Sequence, residues 1–377
     1  MKFRIENDIL QENAANYSNG LKDFPRAINF VTQKNYANQN WYVKEVVTTP
    51  APAFNPEFWG GVLLRDGRVF LVPYNTNTAY IYNPMNDTVF VTTNGFPGGW
   101  VIRGAVLLPD GKVFCIPNNT STGYIYNVAN DSVTSVNGFT GPSYAFNGGV
   151  LLQDGRVFIV PHNSQYAKIY DPVSGIISTP SQTFHNTTSA FMGGVLLPDG
   201  KVFCVPHNST TAAIYNPADG TVFTSTPIFH TGTGGFSGGV LLPDGKVFCV
   251  PFNSISAKIY DPVSNTISTP SHSFPGGGVF MSGVLLPDGR VFCVPHVGTT
   301  YAKIYDPVTG IAYDVDGFPS YSPYGAFSGG VLMTDGRVFC VPYNATSARI
   351  VSGNFSKANN PHQFTKQLLL SPYLNKL

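Results

Sequence analysis

The sequence predicts an all-β fold: a seven-bladed β-propeller of four-stranded antiparallel blades, closed by an N-terminal strand that completes the last blade. Three observations predict it. The motif Gly-Gly-Val-Leu-Leu-Pro-Asp-Gly-Lys/Arg-Val-Phe-Cys-Val-Pro runs, with variations, seven times through the 377 residues, and its Asp-Gly pairs begin at Asp66, Asp110, Asp154, Asp199, Asp244, Asp288 and Asp335. The spacings are 44, 44, 45, 45, 44 and 47 residues, a period that belongs to propeller blades. Small residues open every copy: Gly60-Gly61, Gly104-Ala105, Gly148-Gly149, Gly193-Gly194, Gly238-Gly239, Ser282-Gly283 and Gly329-Gly330. Innermost strands converge on an axis where side chains have no room.

Within one unit, from Gly193, the elements follow in order. Gly194–Leu197 is a short apolar strand, and Pro198-Asp199-Gly200 is a tight hairpin with Gly in the left-handed position. Lys201–Val205 is the second strand, broken by Pro206-His207-Asn208-Ser209. Ala212–Tyr215 alternates as a third strand, as do Ala167–Tyr170 and Ala302–Tyr305. Asn216–Gly220 turns the chain, and Thr221–Ser225 is the outermost strand. One such meander cannot bury both faces alone, so the units must pack around a ring.

The last copy supplies three strands, ending near Ile350-Val351. Trp41–Thr48 lies where every other unit has its fourth strand, and is expected to fasten the ring; Phe364–Leu370 is the alternative donor. The domains expected are an Asn-rich arm (1–40), the propeller (41–351) and a tail (352–377). The arm carries eight Asn in its 40 residues and has too little apolar content to fold alone. Arm and tail are the expected contacts with other proteins of an assembly.

Charged residues make up 11% of the chain and the formal net charge is +1, so nothing points to nucleic acid. No segment has the length and apolarity of a membrane helix, and the N-terminus lacks the apolar core of a secretion signal. The expected location is therefore a virion or the cytoplasm of the producing cell. Cys115, Cys204, Cys249, Cys293 and Cys340 share one repeat position, which holds Leu71 and Ile159 in the other copies. That exchange describes a buried apolar site rather than a disulfide or a metal site.

Candidate chemistry is thin. All four glutamates (Glu6, Glu12, Glu45, Glu57) precede the first copy, and nearly all ring aspartates sit in turns, where they cap backbone N–H groups. Asp314 and Asp316 fall outside that pattern and suggest a longer blade-six turn or a cation loop. The residue after the second-strand Pro is Tyr74, Asn118, His162, His207, Phe252, His296 and Tyr343, followed usually by an Asn expected to form an Asx-turn. This position should ring one mouth of the propeller. Three of its members are histidines, which would hold a metal only if they converge. A second ring, Phe58, Ile102, Phe146, Phe191, Phe236, Phe280 and Phe327, reads as packing between blades. The residue after it varies: Trp59, Arg103, Asn147, Met192, Ser237, Met281 and Ser328. Individuality on a repeated scaffold marks a binding surface, with Trp59 and Arg103 its strongest members. The Gly-rich loops 95–100, 231–235 and 275–278 lack the strand-to-helix context of a phosphate loop.

Leu-Pro-Asp-Gly-Lys-Val-Phe followed by Ala-x-Ile-Tyr-Asp-Pro resembles the kelch repeats of the galactose-oxidase central domain, over about residues 41–351. The resemblance implies the propeller. It carries over no catalytic residue, because the copper oxidases need two His, two Tyr and a Cys cross-linked to one Tyr, and every Cys here occupies the buried repeat position. The Gly-Gly that ends the family's second strand is replaced by Val-Pro-His/Tyr-Asn. The near-identity of the copies and the sparse charge are similar in style to repeat proteins of phages and large DNA viruses. The expected function is a non-enzymatic, cofactor-free propeller that binds protein or glycan, as a structural or receptor-binding part of a virion. Candidate rim residues are Trp59, Arg103, Tyr74, His162, His207, Phe252, His296 and Tyr343. A metal-dependent oxidase or lyase with a His-lined mouth, and an intracellular kelch-type scaffold, are the alternatives.

Overall fold

The Asp-Gly hairpins set the local geometry. In the first, Leu64 N–H donates to Arg68 O at 2.8 Å and Gly67 N–H to Leu64 O at 3.1 Å, enclosing Arg65, Asp66 and Gly67. Gly67 has φ 86°, and its six counterparts lie between 84° and 89°, a region where a side chain is strained. Asp66 Oδ1 accepts the Arg68 N–H at 3.1 Å, and its other oxygen pairs with the guanidinium. The turn aspartates thus cap their own hairpins, as the sequence predicts.

These hairpins build a seven-sheet ring, seen in a computed structural model that describes residues 42–46, 57–92, 95–320 and 325–353. Blade 1 is β2 (Phe58–Leu63), β3 (Val69–Pro73), β4 (Tyr80–Asn83) and β5 (Thr88–Val91), paired in that order. Strands β6–β25 form blades 2 to 6 in the same way, over 102–137, 146–178, 191–224, 236–268 and 280–316. Blade 7 is β26 (Phe327–Leu332), β27 (Val338–Pro342) and β28 (Ala348–Ser352), and its outer strand is β1 (Tyr42–Val46). β1 runs antiparallel to β28, Tyr42 opposite Ser352 and Val46 opposite Ala348. The N-terminal strand therefore closes the ring; Phe364–Leu370 lies outside the described residues. The whole arm (1–40), and all of the tail beyond Gly353, lie outside them too.

Second strands are wholly buried in every blade. Their phenylalanine stacks on the third-strand tyrosine of the next blade: Phe70 on Tyr126 (centroids 5.2 Å), Phe114 on Tyr170 (4.7 Å), Phe158 on Tyr215 (5.0 Å). The pattern continues with Phe203–Tyr260, Phe248–Tyr305 and, across the closure, Phe339–Tyr82. Only between blades 6 and 7 is the tyrosine missing, where Val351 stands in its place. Each such pair adds about 0.5–1.5 kcal/mol beyond burial. All five cysteines are free and fully buried within these interfaces, which raises their thiol pKa values far above the ordinary range.

Two expectations are corrected. Asp314 and Asp316 are not in a turn or a loop: both lie on the fourth strand of blade 6 (Ile311–Asp316), and Asp314 pairs with Lys303 Nζ at 2.5 Å across to the third strand. Nor do Asn163 and Asn208, after the ring position, make the expected Asx-turn. Asn163 donates through Nδ2 to Ser143 O (2.8 Å) and accepts from Ser189 N–H (2.7 Å), tying the loop before its blade to the loop after it. Asn208 does the same with Thr188 O and Gly234 N–H.

Candidate functional site

First strands meet at the axis almost backbone to backbone. A Cβ on Gly104 would lie 3.3 Å from Gly148 Cα, and one on Gly329 would lie 3.1 Å from Gly60 Cα. The sevenfold repeat is broken here. The register slips just after the Phe or Ile in all seven blades, but in blades 1 to 4 the slip leaves Gly60, Gly104, Gly148 and Gly193 unpaired with the second strand, at φ 80–89°. In blades 5 to 7 Gly238, Ser282 and Gly329 are paired to the second strand, and the two glycines are outside the left-handed region. That is why a serine is admitted at 282.

The strands enclose an axial cavity of about 550 Å³. The residues that vary between copies all line it: Trp59, Arg103, Asn147, Met192, Ser237, Met281 and Ser328. The phenylalanine ring before them, from Phe58 to Phe327, is buried between blades as the sequence predicts.

The aromatic and histidine residues that follow the second-strand Pro form a continuous arc, which meets the cavity wall at Trp59. Tyr74 lies 5.9 Å from Tyr343, Tyr343 5.9 Å from His296, His296 6.5 Å from Phe252, Phe252 5.5 Å from His207, and His207 6.3 Å from His162, centroid to centroid. The three histidines do not converge, since Phe252 separates His207 from His296. Among the described residues, no group of three His, Cys, Asp or Glu is placed to hold a metal ion.

Each histidine is instead a latch between blades. His162 Nδ1 lies 2.8 Å from Phe191 O, His207 Nδ1 2.8 Å from Phe236 O, and His296 Nδ1 2.6 Å from Phe327 O. A carbonyl only accepts, so Nδ1 carries the proton in each. Asn118 makes the same bond through Nδ2 to Phe146 O. Phe252 and Tyr343 have no nitrogen to offer, and there the donor comes from the first strand. Ser237 Oγ donates to Phe280 O (2.9 Å) and Ser328 Oγ to Phe58 O (2.8 Å). The two variable rings are therefore coupled, and part of their variation is alternative chemistry for one structural bond. Burial lowers the pKa of His162 to about 4, with the Arg103 charge adding to the effect, and lowers His207 and His296 in the same direction.

Arg103 occupies the mouth. Its guanidinium carbon lies 4.5 Å from the Trp59 ring centroid, 5.4 Å from that of Tyr74 and 5.5 Å from that of Tyr144, and Nη2 donates to Tyr74 OH at 2.9 Å. Its charge reaches across the axis to His162, His207 and Tyr343. Among the described residues no carboxylate forms an ion pair with it. Glu57, the last glutamate of the chain, accepts instead from the Trp100 indole N–H at 3.3 Å.

Sequence reading misses Tyr144 and Trp100. They hold one position in successive inter-blade loops, two residues before the first strand, and both have left-handed backbone, φ 56° and 62°. The same position is Ser189 (φ 52°), Gly234 (φ 65°) and Gly278 (φ 78°) in later loops. Both aromatics are exposed, Trp100 by 47% and Tyr144 by 37%. Aligning the loops against one another would expose them, since aromatic residues there stand opposite glycines.

No protein-family model matches the chain, and no curated protein is detectably similar in sequence. Solved structures are similar in fold. Virginiamycin B lyase from Staphylococcus aureus superposes with a TM-score of 0.67 at 11% identity, covering 83% of this chain and 99% of the lyase. A fungal alcohol oxidase in complex with copper gives 0.61 at 12%, over 83% of this chain and 76% of the oxidase. The extracellular domain of a putative one component system from B. thetaiotaomicron gives 0.62 at 12%, over 84% of this chain and 40% of that one. At such identities the likeness establishes the propeller fold alone, and the neighbours span a lyase, an oxidase and an extracellular domain of a putative one component system.

Proposed function

We propose that this chain is a non-enzymatic binding propeller whose axial mouth takes a glycan. The observation that carries the reading is the pair Trp100 and Tyr144. A left-handed conformation costs a bulky residue about 1–2 kcal/mol, and the copies at Gly234 and Gly278 avoid the cost with glycine. Strain retained at an exposed aromatic is the mark of a functional position. The apolar face of a sugar packs on such rings while its hydroxyls meet a rim of Asn, Ser, Thr and backbone groups, which matches this sparsely charged surface.

Replacing these aromatics by glycine separates function from stability. Trp100→Gly and Tyr144→Gly should keep or raise the melting temperature, by relief of up to about 1–2 kcal/mol of strain, while glycan retention on an array of immobilised oligosaccharides falls at least tenfold. Binding that survives both changes would sink the reading.

The enzyme alternative draws less support. His162, with its Nδ1 proton committed to a carbonyl and its pKa near 4, is a poor general base near neutrality. Stoichiometric metal in the purified protein would reopen that alternative. Placement on a virus particle is supported by the near-identity of the copies, and it predicts a fixed copy number in purified particles; absence from them ends it.

A further inference from the structure

We infer that the mouth selects an acidic sugar, whose carboxylate binds at Arg103 and Asn147. This deepens the glycan reading and rests on it. Arg103 has five N–H donors, of which Tyr74 OH takes one, and its Nε is buried without a partner. Asn147 is 5% exposed, lines the same cavity, and its Nδ2 is buried without a partner. Ser282 Oγ, also in the cavity wall, is a third unpartnered group. A partly buried cation beside unpaired donors is costly unless an acceptor arrives.

The acceptor that fits is planar and anionic. A guanidinium fork bonds a carboxylate through two parallel N–H···O contacts. Trp59, Tyr74 and Tyr144 fix the plane of that fork on three sides, so little freedom is lost on binding. No described carboxylate competes by ion pairing. The acid of a uronic or sialic type sugar enters the cavity, and the remainder of the saccharide lies over the rim beside Tyr144 and Trp100.

The test uses the full-length protein and matched oligosaccharide pairs, one bearing a terminal glucuronic or sialic acid and the other its carboxyl-reduced, neutral counterpart. Affinity is read by calorimetry. The acid form should bind at least tenfold tighter than its neutral partner, and added salt should weaken it. Arg103→Lys keeps a charge but loses the fork, and should erase most of that preference. Asn147→Ala should reduce it severalfold, and near-native melting temperatures certify both variants. Equal binding of acid and neutral forms overturns the acid inference while leaving the glycan reading intact. Tighter binding of sulfated sugars than of carboxylated ones, or a preference unchanged in both variants, overturns it likewise. Binding of no oligosaccharide, neutral or acidic, defeats the glycan reading and this inference together.

Discussion

At the scale of the residue, a histidine illustrates how burial converts into pH dependence. His162 has an ordinary value of 6.5 and a value of about 4 in the fold. Below 6.5 the unfolded chain takes up a proton that the fold refuses, so stability present above 6.5 is lost as pH falls toward 4. The full difference corresponds to about 3 kcal/mol. Arg103, His207 and His185 face this ring and add to the cost of charging it. His207 and His296 shift in the same direction, and the whole mouth should therefore loosen in mild acid. Asn118 makes the same bond with an amide that does not titrate. In His162→Asn, the drop in melting temperature between about pH 7 and pH 5 should shrink. An identical acid response would show that the sensitivity lies elsewhere.

At the scale of the element, six of the seven blade interfaces share one recurring bond with two chemical solutions. Ser237→Ala should strand the Phe280 carbonyl, at a cost of about 1–3 kcal/mol. Adding Phe252→His should recover much of that loss, because His207 and His162 supply the donor from the equivalent position. Urea denaturation of the single and double variants measures it; a double variant no more stable than the single one would refute the equivalence. The blade itself is legible in the sequence because its determinants are local: alternation, an Asp-Gly turn and a fixed period. The latch is not, because it joins a residue to a carbonyl roughly thirty positions away, and only the pairing of Phe252 with Ser237 and of Tyr343 with Ser328 hints at it. The variable axial ring shows in the sequence as variation on a constant frame, and the structure places it in the cavity. Tyr144 and Trp100 escape because their sequence signal appears only when the variable inter-blade loops are set against one another, and the left-handed backbone that gives it meaning is not in the sequence. Asp314 defeats the repeat pattern because the blade-six outer strand runs to Asp316, longer than Val222–Thr224 of blade 4, the unit from which the pattern is read.

At the scale of the whole molecule, the ring has one seam. Blade 7 joins both ends of the propeller through β1 and β28, and its interface with blade 6 lacks the stacked tyrosine found at the other six. Closure therefore depends on the pairing of Tyr42–Val46 with Ala348–Ser352 and on Val43, which packs against the core between blades 6 and 7. Removing residues 1–40 spares that strand, whereas removing 1–47 strips it and leaves β28 as an unpaired edge. An open edge invites pairing with a second chain. The longer deletion should melt well below the shorter one and should self-associate in sedimentation, with several ladder bonds lost at about 0.5–1.5 kcal/mol each. Equal melting of the two deletions would mean that the ring holds without its seam. In that case the face-to-face stacking of blades, rather than the closing strand, would be what keeps the axial mouth and Arg103 in register.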